Sequence, residues 1–275
     1  MPPDLCSLIE PTLDVVRDAS DRILEIYDTD FEIQSKQDET PLTSADIASH
    51  DTLVSGLSQL TPSIPVLSEE SNQIPYSVRS KWSDCWLVDP LDGTREFIKQ
   101  SGEFTINVAL LHEHEPVLGL IYVPVSRICY YAWRNGGAYK LIGNTPTPSK
   151  IYTRPIEDDT VRVAGSRSYA VKSLQIFLRR LDNYEYVGVG AALKACLIAE
   201  GLVDVYPRFG PTSEWDTAAS QCILQEAGGQ LTDLQLKPLR YNTKPSLRNP
   251  PFIAFGDDRR NWGKYIPEHC LETNN

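Results

Sequence analysis

Cys85-Trp86-Leu87-Val88-Asp89-Pro90-Leu91-Asp92-Gly93-Thr94 is the most informative stretch of the chain. Its first four residues are an apolar run of the kind that fills a buried strand, and the rest break into a turn carrying two carboxylates. Placing like charges that close is costly unless a cation lies between them. Paired aspartates beside a backbone carbonyl are the hard oxygen ligands that Mg²⁺ favours. Taken alone, the residues also fit an ordinary Pro-x-Asp-Gly turn at a strand end. Two further acidic places count against that plainer reading. Ser68-Glu69-Glu70-Ser71 follows the short apolar run Pro65 to Leu67, and Glu214-Trp215-Asp216-Thr217 is expected to open a helix after Phe209-Gly210-Pro211-Thr212. Each alone reads as a solvated loop or as an acid complementing a helix dipole. Acids at the ends of several predicted strands and at one helix start are what a two-metal site draws upon.

Upstream of this stretch, apolar residues recur at helical spacing from Asp4 to Asp28, with Pro11 expected to kink the segment or shift its start. Ser44 is the expected N-cap of a second helix that ends at Thr61-Pro62 and presents Asp46 in its first turn. Downstream, the runs Thr105 to Leu111, Val117 to Val123 and Ile128 to Trp133 read as strands. Turns near Glu113 to Pro116 and at Asn135-Gly136-Gly137 should make much of this sheet antiparallel. The aromatic run Tyr130-Tyr131-Ala132-Trp133 alternates like a strand and reads as packing. Asn144-Thr145-Pro146-Thr147-Pro148 looks like a link, placing an α+β domain at 1–150 and an α/β domain at 151–275. In the second part we expect strands at Val161 to Ala164, Tyr184 to Val187, Val203 to Tyr206, near Leu231 and at Phe252 to Phe255. Helices are expected over Val171 to Leu181, Ala191 to Glu200 and Glu214 to Ala227, the last ended by Gly228-Gly229.

The 275 residues carry 37 Asp plus Glu against 26 Lys plus Arg, a net charge of −11. That excludes a general nucleic-acid binder, whose affinity comes from cations displacing counterions. An anionic ligand must instead meet a local positive field. The six cysteines are dispersed without a Cys-x-x-Cys pair, and no stretch approaches the roughly 20 apolar residues of a membrane span. The N-terminus lacks a basic, then apolar, leader. Together these features predict a cytoplasmic protein with reduced thiols. His112-x-His114 beside a hairpin turn lacks a third ligand nearby in sequence and reads as surface histidines rather than a zinc site.

The chain resembles the magnesium-dependent, lithium-sensitive phosphatases that include inositol monophosphatase and fructose-1,6-bisphosphatase. The resemblance runs through Pro41-Leu42-Thr43-Ser44-Ala45-Asp46, Ser68-Glu69-Glu70 and Trp86 to Phe97. It continues in Gly102-Glu103-Phe104-Thr105-Ile106-Asn107, Gly165-Ser166-Arg167-Ser168, Leu193-Lys194, Tyr206 to Thr212 and Glu214 to Ala219. The Glu-Phe extension after Asp-Gly-Thr, the Gly-Glu-Phe-Thr strand and Tyr-Pro-Arg-Phe-Gly are similar to the bacterial 3′(2′),5′-bisphosphate nucleotidase branch.

What this resemblance implies is a layered αβαβα fold and two or three Mg²⁺ per site. Glu69, Asp89 and the Leu91 carbonyl would hold one ion, and Asp89, Asp92 and Asp216 the second. Thr94 would orient the attacking water, with Asp46 as its acceptor and Glu70 in the same water network. Asp216 would also help protonate the leaving ribose oxygen. Gly93 and Thr94 N–H groups would hold phosphate oxygens, and Ser166, Arg167, Lys194 and Arg208 would surround the nucleoside and its spectator phosphate. The implied reaction is removal of the 3′-phosphate of adenosine 3′,5′-bisphosphate, with phosphoadenylyl sulfate as a second substrate and a link to sulfate assimilation. The implied partner is a small nucleotide, and the implied state a monomer or homodimer. Three departures bear on substrate preference: Ala191 stands where the family has a serine, Arg240 where an acid is frequent, and Tyr169 where a histidine is frequent.

Three rivals remain in view. An inositol or other sugar phosphatase shares the same fold. A haloacid-dehalogenase-type phosphatase needs Asp-x-Asp, whereas Asp89 and Asp92 are three residues apart. A noncatalytic magnesium or nucleotide sensor would not need the full set of Glu69, Asp89, Asp92, Thr94 and Asp216.

Overall fold

In this computed structural model, residues 4–29, 33–35, 41–71, 74–143, 147–157, 159–167 and 171–271 are described. The amphipathic opening segment forms α1 (Leu5–Tyr27), capped by the Asp4 carboxylate, which accepts from the Cys6 N–H at 3.2 Å. Pro11 lies inside this helix without ending it. One backbone bond is forfeited there, while Leu8, Ile9, Leu13, Val16 and Ile23 keep a continuous face buried. The ribbon β1 (Ile33–Ser35) and β2 (Pro41–Thr43) leads into α2 (Ser44–Leu60). The cap of α2 is Thr43, one residue before the expected Ser44, because Thr43 and Asp46 form a reciprocal capping box. Asp46 Oδ2 accepts from both the Thr43 N–H and its hydroxyl at 2.7 Å.

Seven strands then lie side by side in sequence order: β3 (Val66–Ser68), β4 (Asp84–Asp92), β5 (Thr105–His112), β6 (Glu115–Val123), β7 (Ile128–Trp133), β8 (Gly137–Ile142) and β9 (Ser149–Ile151). Between β3 and β4 the chain makes the single turn α3 (Tyr76–Arg79), and after β4 the short α4 (Thr94–Ile98). β3 and β4 are parallel, and the other pairs are antiparallel, as the predicted hairpins require. Residues 144–146 of the expected link, and Tyr169 and Ser168, lie outside the described residues. Directly after the expected link, β9 is still an edge strand of this first sheet.

A second sheet contains β10 (Thr160–Gly165), β11 (Asn183–Gly188), β12 (Val205–Arg208), β13 (Gln230–Asp233) and β14 (Phe252–Phe255) in the order β11-β10-β12-β14-β13. Its connecting helices are α5 (Lys172–Arg179), α6 (Leu193–Ala199) and α7 (Ala218–Glu226). The helix expected over Glu214 to Ala227 is divided. Glu214–Asp216 form a separate 3₁₀ turn because Ser213 and Asp216 make their own capping box, and Thr217, at φ −124°, breaks the helical path before α7.

Strand alternation sets the layers. Trp86, Val88, Ile106, Val108 and Leu110 face α1 and α2, and all are buried. Cys85, Leu87, Ala109 and Leu111 point the other way, into a core shared with α6, α7 and the inner face of the second sheet at Ala164, Leu231, Phe252 and Ala254. Val163, Ile253 and Phe255 face outward against Phe177 and Leu178 of α5. The order is helices, sheet, helices, sheet, helix. Each large apolar side chain so enclosed contributes roughly 1.5–3 kcal/mol. Tyr131 and Trp133 stack on Tyr139 at 5.4 and 5.5 Å, the packing expected of that aromatic run.

Candidate active site

The acidic stretch sits where β4 loses its regular pairing. Asp89 is opposite Asn107 and Asp92 opposite Thr105, with a register shift between them, because Pro90 has no N–H to give and the chain bulges. The bulge is fixed from both sides. Ser49 of α2 donates its hydroxyl to the Pro90 carbonyl at 2.8 Å, and the Leu91 N–H donates to Asp89 Oδ1 at 3.1 Å. Glu69 follows β3, and its N–H donates to the Val88 carbonyl at 3.0 Å, which sets it beside the bulge. Asp216 arrives from the second half of the chain in the 3₁₀ turn, its Oδ2 accepting from the Ser213 N–H at 2.9 Å.

These elements bring oxygens of Glu69, Asp89 and Asp216 within 4.8 Å of one another. Among the described residues this is the one such acidic group. Asp92 lines the same 320 Å³ cavity, together with Leu91, Gly93, Thr94, Trp215 and Arg248. Its Oδ2 accepts from Asn107 at 3.3 Å, and Asn107 accepts in turn from Thr105 at 2.9 Å. Burial, then Glu69, Asp92 and Asp216, hold the Asp89 carboxyl well above the usual carboxylate range. Burial also raises Asp92, against the opposing pull of Lys194 and Asn107. Asp216 is pushed up to about 7 by burial first and Asp92 second. Packed carboxylates of this kind are relieved by a hard divalent cation, and the donor set of oxygens alone suits Mg²⁺.

Thr94 opens α4, and its hydroxyl donates to Asp46 Oδ1 at 3.3 Å. Asp46 is buried at the start of α2, so this bond ties the metal-side turn to a distant helix end. Gly93 has φ +94°, in the region that suits glycine, and a Cβ there would meet the Glu103 carbonyl at 3.3 Å. Glu70 is half-buried beside Glu69 and does not line this cavity.

A second cavity of 380 Å³ adjoins the first, with Asp92, Gly93, Arg95, Glu96, Arg208 and Asp216 in both walls. All four predicted substrate residues, Ser166, Arg167, Lys194 and Arg208, line it. Lys194 is buried at the start of α6, donating to the Ala191 carbonyl at 2.8 Å and lying 5.4 Å from the Tyr206 ring centroid. Burial lowers its pKa, with Asp92 opposing the shift. The far end of α6 is fixed too: Glu200 accepts from Lys140 at 2.7 Å and from the Tyr130 hydroxyl. Arg208 donates to the Pro211 carbonyl at 3.1 Å and to Ser166 Oγ at 3.5 Å. Arg167 is exposed and paired with Glu103.

The sequence reading did not nominate Arg95, Glu96 and Lys99 of the larger cavity, or Arg248 of the smaller one. Glu96 was visible only as part of the Glu-Phe extension, and Arg248 sits in a loop without a signal. Of the departures, Arg240 lines neither cavity and pairs with Glu115 at 2.6 Å. His112 bonds Asp84 at 2.8 Å and His114 the Tyr241 carbonyl at 3.0 Å, so neither converges on a ligand set. Glu214 is fully buried, accepting from the Asn242 N–H at 2.6 Å and from Lys244 at 3.2 Å, and serves the fold. All six cysteines are free, and no helix among the described residues is long and apolar enough to cross a membrane.

The profile of the Inositol monophosphatase family matches residues 4–254. The chain is 44% identical, over 89% of its own length and 98% of the relative's, to the 3′(2′),5′-bisphosphate nucleotidase CysQ of Salmonella typhimurium. Among solved structures it is similar to CysQ from Bacteroides thetaiotaomicron, described as a bacterial member of the inositol monophosphatase family. The TM-score is 0.79 at 37% identity, over 91% of this chain and 97% of that one. An IMPase of Thermotoga maritima, 21% identical, shares the fold with a TM-score of 0.76 over 97% and 98% of the two chains.

Proposed function

Because the chain belongs to the inositol monophosphatase family, we propose that it is a metal-dependent phosphatase that removes the 3′-phosphate of adenosine 3′,5′-bisphosphate to give AMP and phosphate. The observation that carries this reading is the pair of adjoining cavities with Asp92, Asp216 and Arg208 in their common wall, one acidic and the other holding Lys194. A substrate with one phosphate to cleave and a second to keep suits that pairing. An inositol monophosphate would leave the cationic cavity without a charged partner.

Glu69, Asp89 and the Leu91 carbonyl would hold one Mg²⁺, and Asp89, Asp92 and Asp216 another, with Asp89 common to both. When bound, the ions supply charge neutralisation at the phosphoryl oxygens and make the attacking water more acidic. The protein's own groups do the rest. Thr94, whose hydroxyl proton is directed to Asp46, offers its lone pairs to the water and orients it toward phosphorus, with Glu70 in the surrounding water network. The water forms the new P–O bond as the bond to the ribose 3′-oxygen breaks. The water's proton leaves along Thr94 and Asp46, and the departing oxygen takes a proton through a water on the Asp216 side. N–H groups of Gly93 and Thr94 hold the phosphate, and Lys194 and Arg208 hold the spectator 5′-phosphate, the arginine with two donors in a fork.

Phosphoadenylyl sulfate, which carries the same 3′-phosphate, is a second substrate in this reading. The role is housekeeping in the cytoplasm alongside sulfate assimilation, and the free thiols are compatible with it. Phosphate release should be fastest, in kcat/KM, from adenosine 3′,5′-bisphosphate, slower from inositol 1-phosphate and fructose 1,6-bisphosphate, and lost on chelating Mg²⁺. A preference for either sugar phosphate, or turnover without metal, overturns the proposal.

A further inference from the structure

The Gly102-Glu103-Phe104-Thr105 segment stood out in the sequence, yet the chemistry above gives it no role. Glu103 sits in the loop between α4 and β5, in the first half of the chain, and both of its carboxylate oxygens reach the second half. Oε1 accepts from the Arg167 guanidinium, and Oε2 accepts from the Gly190 N–H at 3.0 Å. Arg167 and Gly190 both line the 380 Å³ cavity.

The seam is close as well as charged. A Cβ on Gly190 would come 2.7 Å from the Glu103 carbonyl and 2.9 Å from Glu96 Cγ, so only glycine lets the two segments meet at this spacing. The next residue, Ala191, is held at φ +49°, a left-handed conformation that a side-chain-bearing residue keeps only when its surroundings impose it. The Ala191 carbonyl is the acceptor of Lys194 at 2.8 Å. One carboxylate therefore reaches two of the candidate substrate cations. It binds Arg167 directly, and it holds the turn on which Lys194 rests. Its negative charge also answers the Arg167 charge, which leaves that side chain less suited to bind phosphate and places it along the cavity wall. A guanidinium whose edge is paired with a carboxylate keeps its face open for a planar base to stack on.

Resting on the nucleotidase reading, we infer that Glu103 is a positioning residue that selects for the nucleoside half of the substrate, by fixing Arg167 and the Gly190-Ala191 turn. Glu103 itself lines neither cavity and acts through Arg167 and Gly190, which line the 380 Å³ one and not the metal-side one.

The test compares Glu103→Ala and Glu103→Gln with the unmodified enzyme in saturating Mg²⁺. Three quantities are read: KM and kcat for adenosine 3′,5′-bisphosphate, the inhibition constant of inorganic phosphate, and the dissociation constant of AMP by calorimetry. Glu103→Ala should raise KM and the AMP dissociation constant about tenfold while kcat moves less than about threefold and the phosphate constant less than about twofold. Glu103→Gln keeps an acceptor for the Gly190 N–H and should recover part of that loss. A double variant with Arg167→Met should cost little more than Glu103→Ala alone, because residues acting as a unit are not additive. Equal losses in kcat and in phosphate affinity, or full additivity with Arg167→Met, overturn the inference. If the unmodified enzyme prefers inositol 1-phosphate, the nucleotidase reading fails by itself. Glu103 is then judged on AMP affinity alone: a tenfold loss upholds its role, and an unchanged value rejects it.

Discussion

The acidic cavity and the cationic cavity share a wall but differ in how far along the chain their fixing bonds reach. On the acidic side three carboxylates are fixed by their own neighbourhoods, Leu91 holding Asp89 two residues away, Thr43 holding Asp46 three away and Ser213 holding Asp216 three away, while Asp92 accepts from Asn107 fifteen residues on. On the cationic side Lys194 and Arg208 each have a local acceptor three residues away, but the seam between segments is closed by remote bonds, Glu103 meeting Arg167 across 64 residues and Gly190 across 87, and Arg208 meeting Ser166 across 42. Local bonds form with their own turns, whereas remote ones need the two sheets already in place. The acidic side therefore rests largely on its own turns, and the Glu103 seam of the cationic side is a product of the assembled fold.

The contrast breaks most sharply at Asp89. Asp89→Asn should lower kcat by about 10³-fold or more, a scale set by losing an electrostatic group that acts on the transition state. It should also abolish the rise in melting temperature that Mg²⁺ gives the unmodified protein. Its metal-free form should melt no lower, because a buried like charge has been removed. Retained turnover would show that Asp89 is not shared between the ions.

In the common wall itself, Arg208→Ala should raise KM for adenosine 3′,5′-bisphosphate about 10- to 100-fold, the equivalent of roughly 1.5–3 kcal/mol for hydrogen bonds to a charged group. Steady-state kinetics would separate this from a fall in kcat, and a purely kcat effect would move Arg208 to the reacting phosphate.

A smaller effect concerns pH in the absence of metal. Asp216 titrates near 7 in the folded chain, against an ordinary value of 3.8, with burial the first cause and Asp92 the second. The folded state thus holds that proton more tightly than the unfolded state does. The resulting stability is complete below the unfolded value and is lost as pH rises through about 7. Metal-free melting temperature should fall between about pH 5 and 7.5, and saturating Mg²⁺ should flatten or reverse that slope. A metal-free curve that rises over the same range would mean that the acids are not crowded.

The smallest expected effect is at Arg240, the departure that faces Glu115 away from both cavities. Arg240→Ala should change kcat/KM by less than about twofold, within the range of exposed ion pairs that contribute about 0–1 kcal/mol. A larger loss would show a route from that surface to the site.

The same division governs what could be read from sequence. Asp89 and Asp92 announce themselves because strand, proline, glycine and acid fall within ten residues, whereas Thr94 gains its role only from the family resemblance and Asp46 shows only as an acid in a helix's first turn, its Thr43 capping box hidden behind the Ser44 expected as cap. The apolar runs Cys85 to Val88 and Phe252 to Phe255 are likewise legible as buried strands, but being apolar on both faces they do not say which side chain meets which layer. Arg248 and Lys99 left no trace, since a cation in a loop looks the same whether or not folding turns it into a cavity. The 3₁₀ turn before α7 was read as helix because Ser213 capping Asp216 has the same pattern as any helix start. Glu103 was visible as a motif, but its two partners lie in segments that no local pattern connects to it.

Lys194 stands at one end of a seven-residue helix whose other end is fixed by Glu200 to Lys140 and Tyr130. A helix that short has no stability alone, so its order is imposed by the two sheets between which it is wedged. Immobilising that flexible ammonium is therefore settled when the chain folds, not when ligand arrives. Association should lose little rotational freedom at this side chain, and a designer wishing to loosen the grip on nucleotide could do so at Glu200, remote from any bound atom.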